Sequence, residues 1–94
     1  MKKIVLAVIL SVGLFGSGFK CNLYLDRALE NSKLFNFSVE RADVNDMNVY
    51  SNGVIKYMEH AIASCDGVMS KEKVDELKQG RLDYLQMRKD LKLE

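Results

Sequence analysis

Two cysteines constrain this 94-residue chain more than any other feature. Cys21 opens an apolar stripe of Cys21, Tyr24, Leu25, Ala28, Leu29 and Phe35. At the helical period this stripe leaves Asp26, Glu30 and Lys33 on the other side. Cys65 closes a second stripe over residues 46–65. There Met47, Tyr50, Val54, Ile55, Tyr57, Met58, Ala61, Ile62 and Cys65 share one sector, and Asn48, Asn52, Lys56, Glu59, His60 and Ser64 oppose them. One cysteine therefore stands at the start of its helix and the other at the end. An antiparallel hairpin brings those two ends together, so the helices and a Cys21–Cys65 disulfide predict each other. On the loop-entropy argument, closing this loop is worth about 4 kcal/mol. That is a large contribution in a domain small enough for one thin core.

The residues ahead of Cys21 set the compartment. Met1-Lys2-Lys3 is basic, Ile4 to Phe15 is apolar with small residues, and Gly16-Ser17-Gly18 is small throughout. Basic start, apolar core and small residues at the cleavage point are the layout of a secretory signal. We expect residues 1–18 to be that signal, with cleavage before Phe19, and residues 19–94 to form a single helical domain in the periplasm or outside the cell. An oxidising compartment is where a disulfide persists. The alternative is an uncleaved segment that anchors the chain in the inner membrane. The apolar run is short for that role, since spanning takes about 20 residues. If the signal is removed, no stable membrane insertion is expected.

Beyond Cys65 a third helix is expected. Ser70 is a good N-cap, and Val74, Leu77, Tyr84, Leu85, Met87 and Leu91 recur on one side. The absence of proline favours helices throughout. Asn45 is the expected N-cap of the second helix and Gly67 its stop. Only Phe35–Glu40 alternates as a strand would, and with no evident partner it reads as an irregular connection. The expected fold is all-α, a small helical hairpin or three-helix bundle with one disulfide.

Charge narrows the partners. The chain has 14 Lys and Arg against 13 Asp and Glu. Without Lys2 and Lys3 the count is 12 against 13, so the basic excess of a nucleic-acid binder is missing. No phosphate-binding glycine loop, nucleophile elbow or metal-ligand spacing occurs. We therefore expect no enzyme, no cofactor and no metal site. His60, the one histidine, falls on the polar face of its helix and reads as a solvated surface residue.

One pattern departs from an ordinary core. Arg81 and Arg88 fall near the centre of the third apolar stripe, beside Tyr84 and Met87. Either both arginines lie along a rim with their stems over apolar surface, or Arg81, Tyr84, Met87 and Arg88 form an exposed partner interface. Arginine and tyrosine are the residue types that concentrate at interface hot spots. The sequence points to an exported protein that works by protein–protein binding. Inhibitor, immunity, chaperone-like and regulatory modules all fit that description; the alternatives are a membrane-tethered regulator that retains its N-terminal apolar segment and, last in order, a small enzyme.

Overall fold

A computed structural model describes residues 19–93 as three helices and no strand. These are α1 (Phe19–Glu40), α2 (Val44–Cys65) and α3 (Lys71–Asp90). The expected signal, residues 1–18, lies outside the described residues. Among the described residues no helix is long and apolar enough to cross a membrane.

α1 and α2 form an antiparallel pair, and Cys21 and Cys65 are disulfide-bonded at its open end with their Cα atoms 4.8 Å apart. The inward residues of α1 are Cys21, Leu25, Ala28, Ser32, Phe35 and the half-buried Val39. Those of α2 are Met47, Ser51, Val54, Met58, Ala61 and Cys65, and Ser38 of α1 and Ile55 of α2 are buried in addition to these two series. Both series step alternately by four and three residues, which is the coiled-coil spacing that keeps one seam facing its partner. The two cysteines share the outermost of six layers, so the disulfide fixes the register of the remaining five. Gly53, beside this seam, leaves room that Asn31 occupies: a Cβ there would collide with the Asn31 amide.

The connection after α1 is a Schellman turn. Asp43 N–H donates to the Ser38 carbonyl at 3.0 Å and Ala42 N–H to the Val39 carbonyl at 3.0 Å. Ala42 takes the left-handed conformation, φ 54°, that glycine usually fills. With this turn as its stop, α1 continues through Phe35–Glu40. The expectation of an irregular connection there is corrected: Ser38 is buried and its hydroxyl donates to the Phe35 carbonyl. The cap of α2 is likewise two residues earlier than expected, since Asp43, and not Asn45, accepts from the Asp46 N–H. Ala42→Gly should relieve the left-handed strain and raise stability by about 0.5–1 kcal/mol. Chemical denaturation measures this directly.

Gly67, φ 82°, turns the chain after α2, and Ser70 caps α3 by accepting from Lys73 N–H, both as expected. α3 packs along α2, while no Cα of α1 comes within 8 Å of one in α3. What joins them is Tyr84. Its hydroxyl meets Ser32 Oγ at 2.7 Å, and its ring lies edge-on to Phe35 with centroids 5.7 Å apart. A small residue at position 32 of the α1 seam leaves the space that this phenol fills. A second Schellman turn ends α3. Leu93 N–H donates to Arg88 O, Lys92 adopts φ 55°, and Leu93 is carried back into the core.

Candidate functional site

The four residues expected to form an interface separate in the folded domain. Tyr84 is 0 % exposed, Met87 3 % and Arg88 7 %. The exposed partner surface expected from Arg81, Tyr84, Met87 and Arg88 is thus corrected: three of the four are sealed against α2 and α1. Arg88 is held by neutral acceptors only. Its guanidinium donates to Ser51 Oγ at 2.7 Å, to the Asn48 carbonyl at 3.2 Å and to the Leu93 carbonyl at 3.3 Å. It ties the end of α3 to the start of α2, and its role is structural.

Arg81 alone remains at the surface. Its Nε donates to Glu59 Oε2 at 2.8 Å, with the side chain 34 % exposed. Glu59, Ile62, Lys78, Arg81 and Leu82 line an open groove of about 420 Å³ between α2 and α3. The Arg81–Glu59 pair is already satisfied within the fold, which leaves this groove little charge to offer a ligand.

These two arginines, seven residues apart on one helix, should respond oppositely to truncation. Arg88→Ala removes three charge-assisted hydrogen bonds and a buried stem, and is expected to cost about 2–3 kcal/mol. Arg81→Ala breaks one exposed ion pair and is expected to cost under about 0.5 kcal/mol. Paired urea titrations give both values.

Among the described residues Tyr84 is the one ionisable group whose burial clearly alters its chemistry. Desolvation raises its pKa above the usual 10.0, and the Ser32 hydrogen bond opposes this in part. The fold favours the neutral phenol, so its contribution to stability is complete below about pH 10 and falls as the pH rises beyond that.

The less constrained aromatics lie on the far side of the hairpin. At 100° per residue, Tyr57 is about 180° around α2 from Asn48, which marks the flank covered by α3. Tyr50 and Tyr57 recur on this uncovered flank of α2 at the seven-residue spacing, and Tyr24 of α1 meets Tyr57. Tyr24 stacks on Tyr57 (centroids 6.4 Å, planes 27°) and on His60 (5.0 Å, 23°). These separations fall in the range of attractive aromatic pairs. His60 is exposed, as expected, but it is also the outer leaf of this stack. All three tyrosines are half-buried and pack against the core from outside.

Sequence reasoning placed Tyr24, Tyr50 and Tyr57 in the core stripes, because they neighbour true core positions. The signal that separates them is the four-and-three spacing. Residues 47, 51, 54, 58, 61 and 65 satisfy it, while Tyr50 and Tyr57 fall one position outside.

The surroundings of the stack are basic. Lys20, Arg27, Leu34 and Arg41 recur every seven residues along the α1 rim, and Lys56 stands on the α2 rim. Arg41 is matched by Asp46 at 3.0 Å. For Lys20, Arg27 and Lys56 no carboxylate lies within 4.0 Å among the described residues. Among the described residues no cluster of His, Cys, Asp and Glu has the makings of a metal site. What this face offers chemically is flat aromatic surface, one imidazole and free cations. No protein-family model matches the chain, and neither the curated proteins nor the solved structures yield a match.

Proposed function

We propose that this chain is an exported helical binding module, and that it docks another protein on the Tyr24–Tyr50–Tyr57–His60 face. The observation that carries the reading is the distribution of tyrosine. One of the four, Tyr84, is consumed in the core, and the other three are half-buried on the flank away from α3, with Tyr24 stacked on Tyr57. Tyrosine combines a large rigid surface with a polar tip, and this is why it concentrates at protein interfaces. The disulfide suits an oxidising compartment, in keeping with the secretory layout of residues 1–18. The partner surface moves with this reading from α3 to the α1–α2 seam, and binding needs no cofactor.

Site-specific photo-crosslinking in the native host tests it. A benzophenone side chain in place of Tyr57 should trap a discrete protein adduct. The same group at Gln79, on the exposed side of α3, should not. Equal yields at the two positions, or none at position 57, would sink the assignment of this face.

A further inference from the structure

We infer that the partner of the aromatic face is an acidic polypeptide segment. Its carboxylates would meet Lys20, Arg27 and Lys56, and its apolar side chains would lie on Tyr24, Tyr57 and His60. This rests on the docking-face reading above and adds the chemistry of what docks.

Charge segregation carries the inference. The described residues hold 12 basic and 12 acidic side chains. The uncovered flank of the hairpin contains Lys20, Arg27, Arg41 and Lys56 but only two carboxylates, Asp43 and Asp46, and Arg41 occupies both. Subtracting four and two leaves eight basic and ten acidic residues for everything else, so a near-neutral domain turns one positive face outward. The three cations without carboxylate partners border the stacked rings on both helices. Like-charge repulsion disfavours a second copy meeting face to face. Complementary charge raises association rates and rejects wrong partners.

Two other anionic surfaces fit less well. Phe19 and Phe37, the exposed rings a bilayer would take up, share their strip of α1 with Asp26 and Glu30, which anionic headgroups repel. A nucleic-acid strand carries one charge per nucleotide and gains affinity from many phosphate contacts. Three free cations give it little.

The test titrates the purified protein, disulfide intact, with a random glutamate–tyrosine copolymer. Parallel titrations use vesicles of mixed phosphatidylglycerol and phosphatidylcholine, and an oligothymidylate. The copolymer should bind with salt-sensitive affinity and shift the amide resonances of Tyr24, Tyr57 and His60. R27E/K56E changes only exposed positions, so it should fold normally and weaken binding by at least about tenfold. Failure of the copolymer to bind, unchanged affinity in R27E/K56E, or tighter binding to vesicles or oligothymidylate would each overturn the acidic partner. Tyr57→Ala, checked by circular dichroism, separates the two levels. Loss of binding in Tyr57→Ala but not in R27E/K56E retains the face and rejects the acidic partner. Loss in neither rejects both.

Discussion

Removing the disulfide is expected to unfold most of the domain. In Cys21→Ala/Cys65→Ala the unfolded chain regains the freedom of a loop spanning 44 positions, worth about 4 kcal/mol. Two buried sulfurs at the outermost layer are lost as well. Natural domains of any size hold only about 5–15 kcal/mol in total, and this one has a core built on three helices. Far-UV circular dichroism of the double variant should show a large loss of helix at 37 °C. Alkylation of the chain recovered from its native compartment without reductant should find no free thiol. The effect should begin at the open end of the hairpin, because the three-residue Schellman turn still closes the other end. Native-state hydrogen exchange in mild reductant would therefore release the amides near Cys21 and Cys65 before those near Ser38.

Tyr84 should be the most sensitive single side chain. It is fully buried, it is the link through which α1 and α3 meet, and it fills the space above Ser32. Tyr84→Ala is expected to cost about 3–5 kcal/mol, as for other large buried aromatics. Tyr84→Phe keeps the ring and leaves the Ser32 hydroxyl without its partner, at about 1–2 kcal/mol. The lower end applies if Ser32 turns to a carbonyl of its own helix. The pH response distinguishes the two roles of this residue. Above about pH 10 the wild-type domain should lose stability as the unfolded phenol ionises, and phenolate absorbance from one tyrosine should appear only together with unfolding. In Tyr84→Phe that coupled step should vanish.

How far the sequence discloses this protein can be read from particular residues. The hairpin and its disulfide are legible because each cysteine stands at one end of a stripe of apolar residues at helical spacing. Ser70 and Gly67 are legible because their side-chain chemistry suits a cap and a turn. The end of α1 is not: its terminator is Ala42 in a conformation where glycine is the usual sign, so nothing local announces that Phe35–Glu40 stays helical. Arg88 misleads for a different reason. Its partners are the Ser51 hydroxyl and Asn48 carbonyl of α2 and the nearby Leu93 carbonyl, and no charge pattern in the sequence foretells that a cation will be buried by neutral groups. The tyrosines mislead because a stripe read at 100° per residue is broader than a seam. Only the placement of α3 decides which edge of that stripe is covered.

The assignment of function depends on that sidedness, and tyrosine nitration measures it. Brief treatment of the native protein with tetranitromethane, followed by peptide mapping, should modify Tyr24, Tyr50 and Tyr57 and spare Tyr84. Adding the protein trapped by the crosslinker at position 57 should then protect the first three. Modification of Tyr84 in the native state at the rate of the others, or undiminished modification of Tyr24 and Tyr57 in the presence of that protein, would contradict the account.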